Sequence, residues 1–184
     1  MKNIKISCEN LLGKLNDLLL LSPLETKGIR KLDFKKGNII IMLQEAINDL
    51  VAFAEKKSVK LVIGPNFPQE VIVKCDPDKI KRVFSNLIDN AIKYSPVNSQ
   101  VIIDYKNSDG NHVFSVKDSG IGIASEDQAK IFGGFFRAKN AQEFAQLGTG
   151  LGLFYAKKII DLHKGKIWVE SGENSGTTFY VSLK

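Results

Sequence analysis

The chain has 184 residues, 43% of them apolar and 25% charged, enough for one well-buried domain. No apolar run approaches the roughly 20 residues that span a bilayer, and no basic-then-apolar leader opens the sequence, so it reads as a soluble, cytoplasmic piece without membrane contact. The net charge of +6 comes from scattered lysines, not from the basic block of a nucleic-acid binder, and suits anionic nucleotides or acidic partner proteins. Cys8 and Cys75 form no CxxC and sit near no histidine cluster, which argues against a zinc site.

Ile4, Cys8, Leu11, Leu15 and Leu18 are spaced four, three, four, three, the seam of a bundle helix, with Leu12 and Leu19 widening it. Pro23 and Gly28 break it. A seam so narrow calls for a partner helix, and the alternative is that it folds back on the main domain. Residues 24–37 read as a short polar hairpin or loop. Asn38 can cap a helix whose apolar positions are Ile40, Leu43, Ile47, Leu50, Val51 and Ala54.

Residues 59–63 and 71–75 have strand character. Asp76 then caps a helix with Pro77 at its first position, running to about Tyr94, where Ser95-Pro96 ends it. Two strands follow, 100–106 and 112–117, joined by the turn residues Asn107-Ser108-Asp109-Gly110. Ser125-Glu-Asp-Gln has the capping-box pattern of a short helix start. Residues 133–148 read as a long mobile loop, of the kind that serves as a functional lid. A helix over about 150–162 and strands over 166–170 and 177–183 complete one α/β domain with a mixed sheet.

Chemistry concentrates in three places. On the helix opened by Asp76, Asn86, Asn90 and Lys93 recur at i, i+4 and i+7 and share one face. An amide oxygen there can complete a magnesium shell, and the lysine can pair with phosphate. Asp118-Ser-Gly-Ile-Gly122 follows a strand; its carboxylate suits an adenine amino donor, and its glycines let backbone approach a flat ring. Gly148-Thr-Gly-Leu-Gly152 runs into a helix, where successive N–H groups can cradle phosphate. Its spacing is neither a Walker loop nor GxGxxG. His112 and His163 stand alone, and His163 reads as a favourable charge at a helix C-terminus.

These segments together resemble the catalytic and ATP-binding domain of sensor histidine kinases, in the GHKL ATPase superfamily. Asn86-Leu-Ile-Asp-Asn-Ala-Ile-Lys-Tyr-Ser-Pro96 resembles the N box, Asp118 to Gly122 the G1 box, Ile131-Phe132 through Phe135-Phe136-Arg137 the F box, and Gly148 to Leu153 the G2 box; Gly176-Thr-Thr-Phe179 also fits. The resemblance implies an α+β fold, a two-layer α/β sandwich of the GHKL (Bergerat) type with a mixed sheet packed by helices and an N-terminal bundle helix. It implies ATP and Mg2+ as cofactors. Asn90 would bind magnesium, Asn86 would line the phosphate end, Lys93 would contact phosphate and Tyr94 would pack near the adenine. Asp118 would accept from the adenine amino group in a pocket shaped by Gly120 and Gly122. Gly148, Gly150 and Gly152 would hold the lid base and phosphates, and Arg137 would reach the terminal phosphate. Phe132, Thr149 and Leu151 are counted with this ATP-binding set.

Residues 15–25 resemble the second helix of the family's dimerisation and phosphoacceptor domain and the turn after it. That divides the chain into a remnant of this helix over 1–22, a linker over 23–37 and the catalytic domain over 38–184, and makes Met1, which falls mid-motif, read as an engineered start. The expected partners are ATP or ADP, the dimerisation and phosphoacceptor helices of a parent kinase that a membrane can anchor, and a response-regulator receiver domain. The phosphoacceptor histidine and the acidic residue after it have no counterpart here. Two other readings stand beside the kinase: a nucleotide-dependent binding module without catalysis, and an ATP hydrolase, which would need a glutamate where this chain has Asn86. One departure from the family is Gly133-Gly134 in the F box, where an acidic and a polar or basic residue are usual; two glycines are expected to loosen the lid hinge.

Overall fold

A computed structural model describes residues 32–145 and 148–184. The bundle helix expected over residues 1–22 lies outside the described residues. Strand β1 (Lys35–Asn38) opens the described chain and feeds helix α1 (Ile39–Lys56). Asn38 joins the two: its backbone is extended and its Oδ1 accepts the Ile40 N–H at 3.1 Å, so it caps α1 as its residue type predicts. The same oxygen accepts the Val71 N–H at 3.1 Å, tying the cap to the chain just before residue 72. Of the short hairpin or loop expected over residues 24–37, the part from Lys35 onward is strand, because β1 pairs antiparallel with β3 (Ile72–Cys75).

Helix α2 (Pro77–Tyr94) follows the expected signals closely. Asp76 Oδ1 accepts the Lys79 N–H at 3.2 Å, and Oδ2 accepts the Asp33 N–H at 3.1 Å. Ile80, Val83, Phe84, Leu87, Ile88, Ala91 and Ile92 make its buried face. Removing one such side chain, as in Leu87→Ala, would cost about 2–5 kcal/mol in lost transfer energy and cavity formation.

The main sheet has five strands in the order β2 (Lys60–Ile63), β4 (Gln100–Ser108), β5 (Asn111–Asp118), β7 (Thr177–Leu183), β6 (Lys166–Ser171). β2 runs parallel to β4 and the other pairs are antiparallel, so the sheet is mixed. Alternation along the strands sends Val101, Ile103, Phe114, Val116, Phe179 and Val181 into the core, where Phe114 meets Phe84 of α2 edge-on at 5.4 Å. On the other face Trp168 and Tyr180 stack across the β6–β7 pair at 4.9 Å. Helices on one side of a mixed sheet make the two-layer α+β fold.

Three local details differ from expectation. The β4–β5 turn is the two residues Asp109 and Gly110, with φ of 51° and 78°, not a four-residue loop; both positions are left-handed, as a tight hairpin requires. Helix α3 (Ser125–Gln128) has Ala124 at its cap, which offers no acceptor, so no side-chain cap forms; Gln128 donates its amide to Ile123 O at 3.2 Å and Ser171 O at 2.8 Å. The long loop contains a short helix, α4 (Lys139–Phe144), before α5 (Gly152–Leu162).

Candidate active site

The end of α2, the end of β5 and the start of α5 converge on one cavity. Asn86, Asp89, Asn90, Lys93 and Tyr94 line it from α2, Asp118 and Gly122 from the β5 end, and Gly148, Thr149, Gly150 and Gly152 from the approach to α5. Arg137, Asn140 and Ala141 close it from the lid segment, and Thr177 and Phe179 from β7. Three separate sequence motifs thus share a single space.

Asp118 is 4% exposed at the floor. Its Oδ1 accepts two backbone N–H groups, from Gly120 at 2.8 Å and Thr177 at 3.2 Å. Burial outweighs these two bonds and pushes its carboxyl up to about 6. The loop beyond it is closely packed. Gly122 has a φ of +67°, and a Cβ there would lie 1.8 Å from the Gly172 carbonyl oxygen. Only glycine fits such a position.

At the opposite end, Asn86 Nδ2 donates to the Gly152 carbonyl at 3.2 Å, fixing α2 against the start of α5. Lys93 has its ammonium 5.2 Å from the Tyr94 ring centroid. Burial, and then the Arg137 guanidinium, lower the Lys93 pKa, with Asp89 opposing them. Lys93 and Arg137 both face Gly148: a Cβ on that glycine would sit 2.7 Å from Lys93 Nζ and 3.5 Å from Arg137 Nε. Two cations beside a glycine-rich backbone make a strongly anion-attracting corner.

The arrangement departs from expectation at several residues. Gly120 does not line the cavity; it packs under Tyr94, whose carbonyl oxygen would be 2.4 Å from a Cβ there. Leu151 is 2% exposed and belongs to the core beneath the cavity. Phe132 is also outside the lining, packed edge-on against Phe179 at 6.4 Å. Arg137 donates from Nη2 to the Ala141 carbonyl at 3.0 Å and to the Ala145 carbonyl, while its Nε is buried without a partner. Neither Gly133 nor Gly134 has a positive φ; the left-handed residue in that segment is Phe135, at 64°. His163 carries no helix-end charge. Its Nε2 accepts the Asp76 N–H and its Nδ1–H donates to Ile159 O, which requires a neutral ring.

Asp89, Asn140 and Thr177 line the cavity and were not singled out from the sequence. Asp89 sits inside the asparagine-rich helix, one residue before Asn90. Thr177 belongs to the Gly-Thr-Thr segment, but its N–H reaches Asp118 across 59 positions. Nothing local marks Asn140.

Among the described residues no helix is long and apolar enough to cross a membrane. Residues 75–184 match the family of histidine kinase-, DNA gyrase B-, and HSP90-like ATPases. The sensor histidine kinase WalK of Bacillus subtilis is 36% identical over 179 residues, covering 95% of this chain and 28% of that protein. A WalK sensor kinase of Staphylococcus aureus is 34% identical over 178 residues, covering 95% of this chain and 42% of its own. The chain therefore spans less than half the length of these relatives. Among solved structures, the nucleotide-free catalytic domain of the histidine kinase ThkA superposes with a TM-score of 0.71 at 32% identity, covering 82% of this chain and 95% of that one. The histidine kinase AdeS of Acinetobacter baumannii superposes with a TM-score of 0.75 at 25% identity, covering 100% of this chain and 82% of that one. With one cavity built from the N, G1 and G2 segments, the chain belongs to the histidine kinase-, DNA gyrase B-, and HSP90-like ATPase family, as an ATP-binding domain of the histidine kinase type.

Proposed function

We propose that this domain holds Mg·ATP and delivers the terminal phosphoryl group to a histidine of a sensor kinase, from which it passes to a response-regulator receiver domain. The observation that carries the reading is Asn86. It faces the cavity one turn before Asn90, where a hydrolase of this family would need a glutamate to take a proton from water. An amide takes no proton at neutral pH, so phosphoryl transfer rather than hydrolysis is the outcome the site favours.

The two histidines of the chain support an acceptor elsewhere. His163 has both ring nitrogens engaged, and His112 Nδ1 is 2.9 Å from the Tyr105 hydroxyl. The acceptor is proposed to lie on dimerisation and phosphoacceptor helices, with residues 1–22 belonging to the second of them; the catalytic domain, expected over 38–184, takes in β1 from Lys35. A cytoplasmic location goes with this assignment.

The roles divide along the cavity. Asp118 Oδ2, left over by the two N–H bonds to Oδ1, accepts from the adenine amino group, and Tyr94 packs beside the ring. Lys93, Arg137 and the amides of residues 148–152 hold the phosphates. The donor set on α2 is two amide oxygens and one carboxylate, from Asn86, Asn90 and Asp89. These hard oxygens are too few to cage an ion alone, and fit magnesium shared with phosphates and water, with Asn90 as the ligand. Bound there, the ion would neutralise phosphate charge.

Phosphate release should be followed with Mg2+ and ATP, the chain in excess. Bound, intact ATP is expected; rapid free phosphate would make it a hydrolase, and no bound nucleotide would leave a non-catalytic module.

A further inference from the structure

Helix α4 has six residues and no side-chain cap at its start, too few hydrogen bonds to hold a helix in place alone. Yet Asn140 and Ala141 form part of the cavity wall. Arg137, from the same segment, holds the Ala141 and Ala145 carbonyls, and two further fastenings join the helix to the rest of the domain. At one end Asn140 Nδ2 donates to the Gly122 carbonyl at 3.0 Å, joining the helix to the loop after Asp118. At the other end the Phe144 ring meets Tyr94, with centroids 6.3 Å apart, and lies 5.5 Å from the Lys57 ammonium. Lys57 is itself held, donating to the Ile92 carbonyl at 2.8 Å and to the Lys93 carbonyl at the end of α2.

Phe144 does not line the cavity, and it is 47% exposed. A side chain so exposed adds little to the core, but here it bridges the lid to the residues that form the cavity's edge. Lys57 caps the end of α1 and Tyr94 ends α2, so the Phe144 contact joins α4 to the ends of the two long helices.

We propose that Phe144 is a positioning residue that latches α4 across the cavity and sets how long a nucleotide stays bound. The inference rests on the nucleotide-binding reading above. Release requires one fastening to open, and the Phe144 contact, an exposed aromatic and cation–π pair, gives way without exposing core. Opening there leaves Asn140 as the hinge side. Phe144 acts through α4, not by touching the nucleotide.

Stopped-flow fluorescence with a ribose-labelled ADP tests this on the full chain, measuring association and dissociation separately. Hydrogen exchange of the nucleotide-free protein runs beside it. For Phe144→Ala the expected result is dissociation faster by about tenfold with association changed by less than about twofold, the mark of a latch and not of a collapsed site. The α4 amides should exchange faster while those of α2 do not. Asn140→Ala, which frees the other end, should also speed dissociation. Unchanged dissociation in Phe144→Ala would overturn the latch. So would faster dissociation with unchanged α4 exchange, which would mean that the ring touches the nucleotide. If the wild-type chain binds no labelled ADP, the nucleotide reading itself fails, and that failure is visible before any variant is made.

Discussion

The Asp76 backbone N–H donates to His163 Nε2 at 2.9 Å, so the start of α2 is fastened to the end of α5 by one imidazole ring. Its other nitrogen meets Ile159 O at 2.7 Å, and Phe34 covers the ring at 4.9 Å. Burial lowers the His163 pKa below its ordinary 6.5, partly opposed by the Ile159 carbonyl and the Asp76 carboxylate. Because the folded pKa is depressed, this group's contribution is fully present above pH about 6.5 and is lost as pH falls toward the folded value, where the unfolded chain takes up the proton first. Urea denaturation from pH 7.5 down to 5 should show falling stability, and His163→Ala should flatten that part of the curve. The substitution should itself cost about 1–3 kcal/mol, for the N–H left without an acceptor.

Nucleotide binding should follow a second proton. Asp118, pushed up to about 6, accepts from an amino group most strongly when ionised, since a proton on Oδ2 would make that oxygen a donor. ATP affinity is therefore expected to weaken as pH falls through 6, approaching at most about tenfold per pH unit. Calorimetric titration with adenosine, which carries no titrating phosphate, isolates the effect. Asp118→Asn should remove the pH dependence and lower affinity at pH 7.5; a slope that persists in this variant would move the adenine contact elsewhere.

Asn90→Ala should leave the fold intact, because Asn90 contributes to the cavity face of α2 and not to its buried one. ATP affinity with magnesium should drop by about tenfold or more, while affinity in EDTA stays close to wild type. Equal losses in both buffers would remove Asn90 from the metal.

Gly122→Ala is expected to fail for backbone reasons. It combines a left-handed φ of +67° with a Cβ 1.8 Å from the Gly172 carbonyl, so the loop must move and take Asn140's acceptor with it. A loss of about 2–4 kcal/mol in thermal or urea unfolding, with ATP binding lost in parallel, is the expected outcome.

Much of this molecule is legible in local signals. Asp76 followed by Pro77, and apolar residues recurring through Ile92, define α2 before any tertiary contact exists. The glycine-rich segments also announce themselves, since their backbone conformations exclude other residues. Legibility ends where the partner is distant. β1 is four residues whose strand state depends on β3, with paired residues 34 to 40 positions apart. Gln128 forsakes its capping role for a strand 43 residues later. Leu151 sits between two glycines that flank the cavity, but side-chain direction, which spacing alone does not reveal, sends it into the core. The same holds for His163, whose position at a helix end suggests a cation until Asp76 supplies the N–H that demands a neutral ring.

The β4–β5 hairpin offers an attachment point. Its two-residue tip is open, with nothing within 4 Å of where a Cβ on Gly110 would stand. Asp118 lies at the far end of β5, about 27 Å from Gly110 at the usual antiparallel rise per residue. A dye grafted at Asp109 would sit on a rigid arm at a fixed span from the cavity. Energy transfer from it to a labelled nucleotide would then report occupancy directly, with the reporter held clear of every residue that binds.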